Sequence, residues 1–235
     1  MILLASPEPY ILFLIIIIVV ATIIFLVYFF SLKQVIIRTL LKTPNKPIGG
    51  LKTNELTKIT GKALHVKEPL IAPLSKRKCI FYSIKIQQRK SNGKSSYWKT
   101  LIDEREIQEF FVEKKSDLVI IKPSKHPKNY KSFLVVDKKT SSGTFNDPTP
   151  EFESLLKLYR IDSSNYFGFN KQLRYTEAVI EIGEEVTVAG IAKWKSLNEP
   201  IPEYPYSKIA TLESTAKQKL IITDLPKNKV NRRER

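Results

Sequence analysis

Residues 10–30, YILFLIIIIVVATIIFLVYFF, form an unbroken apolar run without a charge, a Gly or a Pro. About 20 such residues cross the ~30 Å hydrocarbon core of a bilayer as a helix whose backbone polar groups are satisfied internally. The run therefore predicts one transmembrane helix over residues 10–32, with a short N-terminus (1–9) ahead of it and a polar domain behind. Only Glu8 is charged before the run, whereas Lys33, Arg38, Lys42, Lys46 and Lys52 follow it. Positive charge close to one end of a span marks the cytoplasmic side. The expected localisation is a single-pass membrane protein, N-terminus outside, C-terminal domain cytoplasmic. A cleaved signal peptide would want a basic leading region, a shorter apolar core and a small-x-small site; none is seen, so the span is expected to stay.

Behind the span, LKQVIIRTLL (32–41) keeps its apolar residues on a helical period with Lys33 and Arg38 between them. The helix is expected to run on into the headgroup layer, its bases against anionic lipid. Pro44 and Pro47-Ile48-Gly49-Gly50 then break the pattern, which makes residues 33–54 a juxtamembrane segment and linker. The formal charge of +16 in 235 residues invites a nucleic-acid or anionic-lipid reading. The excess is mostly Lys, though, and bidentate phosphate recognition favours Arg. A solvated lysine surface explains it, and nucleic acid is the disfavoured partner. Cys79 is the sole cysteine, which excludes an intramolecular disulfide and a cysteine-built zinc site.

From residue 55 the apolar period changes to two. Ile59 to Val66 predicts a strand, and Cys79 to Gln87 alternates with Ile80, Tyr82, Ile84 and Ile86 on one face. A flexible tip over Arg89 to Ser96 leads to a return strand with Tyr97, Trp98, Thr100 and Leu101. Short strands are expected at Gln108 to Val112, Leu118 to Lys122 and Phe133 to Val136. Residues 147–160 switch to helical spacing, with Thr149 as cap, Pro150 at the first position and Phe152, Leu155, Leu156 and Tyr159 on one stripe. Leu173 to Ile182, a turn at Gly183-Glu184-Glu185, and Val186 to Trp194 read as a hairpin with matching apolar faces. Pro200, Pro202 and Pro205 mark a loop, Ile209 to Leu212 and Leu220 to Thr223 are closing strands, and 226–235 is a basic tail. The expected fold is one N-terminal transmembrane helix plus a mainly β (α+β) domain over 55–225. Its antiparallel strands would curl into a small barrel, with the OB type as a candidate, and carry one amphipathic helix.

Two stretches are more specific than composition. One is LIAPLSKRKCIFY (70–82), in which Pro73 and Ser75 form a turn before Cys79 and Tyr82. The other is LRYTEAVIEIGEEVTVAG (173–190), with Arg174, Glu177 and Gly183. In this order and separation they resemble the GIDE-type, beside-a-membrane domain of membrane E3 ubiquitin ligases of the MULAN kind, and RING-less bacterial proteins similar to it. The resemblance spans residues 55–225. It implies a membrane-side binding domain and singles out Pro73, Ser75, Cys79, Tyr82, Arg174, Glu177 and Gly183. Ligase activity in that family needs a RING, whose two zinc ions take eight Cys and His ligands. With Cys79, His65 and His126 as the whole supply, no RING is expected within these residues.

Cys79 is the one candidate nucleophile, with His65 or His126 as its base; a small hydrophobe packed in a strand is the competing role. Arg174 and Glu177 are three apart, so on a strand they point to opposite faces. On the Ala178–Ile180–Ile182 face, Arg174 would be partly buried and would call for Glu104, Glu106 or Glu109. Asp103-Glu104-Arg105-Glu106 reads as solvated charge, and no metal site or cofactor is expected. The candidate partner- or lipid-binding residues are Lys33, Arg38, Lys42, Tyr97, Trp98, Tyr166 and Phe167. No phosphate-binding Gly loop, HExxH or Gly-x-Ser-x-Gly is present. The functional expectation is a non-catalytic adaptor or sensor that binds membrane lipid or a protein partner in the membrane. A ligase component working with a separate RING subunit and a nucleic-acid-binding barrel are the alternatives.

Overall fold

The computed structural model describes residues 9–123, 129–197 and 206–231. Glu8, His126, the three prolines at 200, 202 and 205, and the last four residues of the tail lie outside them. The apolar run is helix α1 (Pro9–Phe29). Tyr10–Phe29 is long and apolar enough to cross a membrane, and none of its residues is buried in the domain. A helix apolar all round cannot present a polar face to water. The chain turns at Phe30 and Ser31, and a second helix, α2 (Leu32–Lys42), begins. The single continuous helix expected from the sequence is therefore two. Ser31 is extended, with ψ at 145°, and serine competes with helix by offering the backbone alternatives.

The apolar stripe of α2 does not face outward. Ile36 and Leu40, one turn apart, are fully buried against Ala189, Ile221, Leu225 and Val230. Burying two such side chains contributes about 3–6 kcal/mol. The segment that follows is packed too. Pro44 O accepts from Lys58 N at 2.9 Å, Ile48 and Leu51 sit in the main core, and Trp194 Nε1 donates to Leu51 O at 2.8 Å. Residues 33–54 thus belong to the domain: their prolines remove backbone donors, but their apolar side chains still have a core to enter.

That core fills a closed five-stranded barrel. Its strands are β1 (Glu55–His65), β5 (Phe110–Lys114), β6 (Asp117–Lys122), β10 (Glu185–Ser196) and β11 (Lys208–Glu213), with β1 also paired to β10. Around the ring the order is β1, β5, β6, β11, β10. Counted within the barrel alone this is first, second, third, fifth, fourth, with the third and fifth strands parallel, an OB-type Greek-key arrangement. The strands are antiparallel elsewhere in the ring. At Gly61 β1 passes so close to β5 that an added Cβ would stand 2.1 Å from Glu113 O. Strand β12 (Leu220–Thr223) extends the sheet from β10 and takes β7 (Tyr130–Phe133) as a parallel neighbour.

A second, curled sheet is inserted into the barrel sequence. It pairs β3 (Lys78–Ser91) with the short β2 (Leu70–Ile71), with β4 (Ser96–Ile107) and with β9 (Leu173–Glu181), and adds β8 (Lys138–Ser142) beside β9. Helix α3 (Pro150–Leu158), capped by Thr149 Oγ1 accepting from Phe152 N, covers one face with Phe152, Leu155 and Leu156. A last short helix, α4 (Lys227–Val230), abuts α2.

The expected hairpin across Gly183 is not one. Strands β9 and β10 belong to different sheets, and the turn between them is a corner. Gly183, at φ 86°, donates to Ala63 O at 2.7 Å, and Ala63 N donates to Glu184 O at 2.8 Å. The turn is thereby stitched to β1, which guides β10 along β1 instead of back along β9. The two apolar faces do meet, since Ala178, Ile180, Ile182, Val186, Val188, Ala192 and Trp194 line one core from two sheets. In β3 the pairing shifts between Cys79 and Phe81, so Ile80 leaves the face of Tyr82, Ile84 and Ile86 and enters the barrel core.

Candidate functional site

The two motif stretches come together at one side chain. Glu177, on β9 and wholly buried, accepts from Leu74 N (2.9 Å), Ser75 N (3.2 Å) and the Tyr175 hydroxyl (2.7 Å). Pro73 opens the turn that aims those two amides, and the turn is closed by Lys76 N donating to Ala72 O at 3.0 Å. Ser75 takes part through its backbone; its buried hydroxyl has no hydrogen-bond partner among the described residues. Burial, then the hydrogen bond to Glu177, raise the Tyr175 hydroxyl above its ordinary pKa, so it stays a donor.

A second carboxylate flanks the same stretch of β3, for Ile84 is paired with Glu177 on one side and Glu104 on the other. Glu104 accepts from Tyr82 OH at 2.7 Å and from Tyr159 OH at 2.9 Å, and both phenols are raised by burial and by that carboxylate. Each oxygen of both carboxylates thus accepts at least one hydrogen bond, on Glu104 from two tyrosines and on Glu177 from two amides and one tyrosine. This arrangement ties Tyr159, at the C-terminus of α3, to β4 of the sheet.

Cys79 lies beside this junction, fully buried with Ala72 and Val179. Burial, reinforced by the Glu177 carboxylate and opposed by Arg77, pushes its thiol up to about 11. A nucleophile needs the thiolate, and this environment withholds it. His65 ends β1, exposed to solvent.

Arg174 stands on the register of Ala178 and Ile180, as weighed from sequence, but at the open end of the sheet, beyond the barrel core. No glutamate meets it there: Nε donates to Gln87 Oε1 at 2.8 Å, and the guanidinium stacks 4.0 Å over the Trp98 ring. Half-exposure makes a carboxylate unnecessary. Trp98 thus offers one ring face to this contact, while Tyr97 beside it is more exposed.

At that same end two loops carry aromatics that pack on no part of the core; among the described residues, Tyr166 and Phe167 meet each other edge to face at 5.6 Å. Tyr166 is 98% exposed, Phe167 78% and Phe145 101%. Their loop is nevertheless ordered: Asn165 Oδ1 accepts from Phe167 N (2.9 Å) and Phe169 N (3.0 Å), and Asn165 N donates to Phe169 O (2.8 Å). The Asn170 amide ties it to Asp147, next to the Phe145 turn. These bonds hold the main chain of the loop while its large apolar rings face water.

The three juxtamembrane bases divide. Arg38 and Lys42 lie on the side of α2 away from Ile36 and Leu40, with Arg38 stacked 3.7 Å over the Phe29 ring. Lys33 lies 5.4 Å from the Phe133 ring. Sequence reasoning missed Lys58, one lysine among many. It is buried on β1, and its Nζ donates to Leu40 O and to Val230 O, both at 2.8 Å, joining the last turns of α2 and α4. A cation at two helix C-termini complements both dipoles.

Fold and site together define a class: an OB-type barrel with an inserted, helix-capped sheet, mounted on an apolar helix. Comparison with family models, with curated proteins and with solved structures finds no match for this chain.

Proposed function

We propose that this chain is a membrane-anchored, non-catalytic binding protein. Helix α1 crosses the bilayer, and the β domain stands on the cytoplasmic face, where it engages a protein partner of the same membrane through the aromatic end of its second sheet. The observation that carries this reading is the burial of Ile36 and Leu40 in the domain. The helix that follows α1 is part of the fold, so the domain joins the anchor through the two residues Phe30 and Ser31 and not through a long linker. Solvent-facing aromatics on a hydrogen-bonded loop suit partner recognition, because little main-chain entropy is lost when they are covered. The resemblance to GIDE-type domains agrees with a place beside a membrane, and its two motif stretches act here as structure, through Glu177. The basic residues after α1 support the cytoplasmic orientation.

An oligonucleotide reading finds less support. OB barrels bind nucleic acid on the face of their second and third strands, and here that face carries Phe111, Leu118 and Ile120 with one acid, Glu113, against one base, Lys122, so the two strands bring no net positive charge to it.

The test is photo-crosslinking in native membranes, with the crosslinking residue at Tyr166 or Phe167 and, as control, at exposed Lys94. The reading expects one and the same membrane protein to be captured from 166 and 167 and not from 94. Equal capture from all three positions, or from none, overturns it.

A further inference from the structure

A cleft of about 230 Å³ opens between the foot of α2 and the uncovered face of the second sheet. One wall is apolar, made by Leu32, Phe133 and Val136. The other is polar and comes from β3 and β4, with Lys85, Arg105 and Asp103. Lys33, over the Phe133 ring, stands at the edge of the apolar wall. Asp103 is shared, 3.2 Å from Lys85 Nζ and 3.7 Å from Arg105 Nε. The Arg105 contact uses Nε, which leaves the two terminal nitrogens of its guanidinium for another acceptor. Three cations against one carboxylate give this edge a net charge of +2.

We propose that this cleft binds the phosphodiester headgroup of one anionic phospholipid of the bilayer that holds α1. The inference rests on the reading of α1 as a span. Leu32 comes three residues after the end of α1, so the mouth of the cleft lies at headgroup depth. The chemistry then matches on both sides. Leu32, exposed Val136 and Phe133 continue the apolar phase toward the acyl chains, and Lys85, Arg105 and Lys33 meet the phosphate, with Arg105 in a forked geometry. The size is that of a headgroup: sites that engulf drug-sized ligands run to roughly 300–1,000 Å³. A zwitterionic lipid brings its own cation and gains less from the positive edge.

The experiment is native mass spectrometry of the full chain in mild detergent, titrated with phosphatidylglycerol or phosphatidylcholine, alongside carbonate extraction of membranes that hold the protein. One phosphatidylglycerol should bind in preference to phosphatidylcholine. Lys85→Gln and Arg105→Gln should each weaken it about fivefold, at ~1 kcal/mol per base near a headgroup, and Lys85→Arg should keep the preference. Asp103→Asn removes the competing carboxylate and should tighten binding, a gain that a misfolded variant does not give. A preference that survives Lys85→Gln and Arg105→Gln together, or that Asp103→Asn weakens, overturns the proposal. Displacement of the lipid by millimolar glycerol 3-phosphate overturns it in favour of a soluble phosphate ligand. Release of the wild-type protein by carbonate overturns the membrane reading as well, which keeps the two failures distinguishable.

Discussion

Glu177 joins chain segments more than one hundred residues apart, and its neighbours leave it no substitute. Gln in its place keeps the volume but turns an NH2 group toward one of the two amides that the carboxylate now satisfies. Glu177→Gln is expected to cost about 2–4 kcal/mol, read as a fall in the thermal midpoint of the detergent-solubilised protein, and to make Cys79 react with iodoacetamide faster than the buried thiol of the unchanged protein. Asp224 makes a different prediction. Its carboxyl is raised to about 7, chiefly by burial, against the 2.9 Å hydrogen bonds from Val135 N and with the Glu184 carboxylate adding to the rise. The unfolded value is about 3.9, so between the two the folded state holds the extra proton. Its contribution to stability is complete below pH 4 and is lost as the pH climbs through 7. Asp224→Asn should flatten that decline and raise the midpoint at pH 8, a difference on the order of a few kcal/mol; an unchanged pH profile would refute the assignment.

At the scale of elements, what could be read from the sequence was what is local. Period-two alternation in β3, β9 and β10, the Thr149–Pro150 start of α3 and the apolar face of α2 all depend on residues within a turn or two of each other. Which strands pair depends on distant groups. The corner at Gly183 looks like a hairpin because turn chemistry is the same in both, and only the backbone of Ala63, 120 residues earlier, decides between them. The seating of α2 was hidden for a like reason: Ile36 and Leu40 fit a headgroup layer or a protein groove equally, and the groove is built from residues 189–230. Lys58→Met separates the clasp from the packing. It keeps an apolar stem, leaves the Leu40 and Val230 carbonyls without this donor, and should cost about 1–3 kcal/mol. Hydrogen exchange should rise first in the last turn of α2 and in α4, and a uniform rise across the barrel would contradict a local clasp.

At the scale of the whole molecule, the domain and α2 form one body. The most direct measurement is a pulsed electron–electron distance between spin labels at Lys42→Cys on α2 and Lys157→Cys on α3, both exposed, in nanodiscs with Cys79 left buried and unlabelled. A fixed mounting predicts a single narrow distance distribution, broadened when Ile36 and Leu40 are both changed to Asp. A broad distribution in the otherwise unchanged protein, insensitive to that double substitution, would mean that α2 is a tether and would contradict the account.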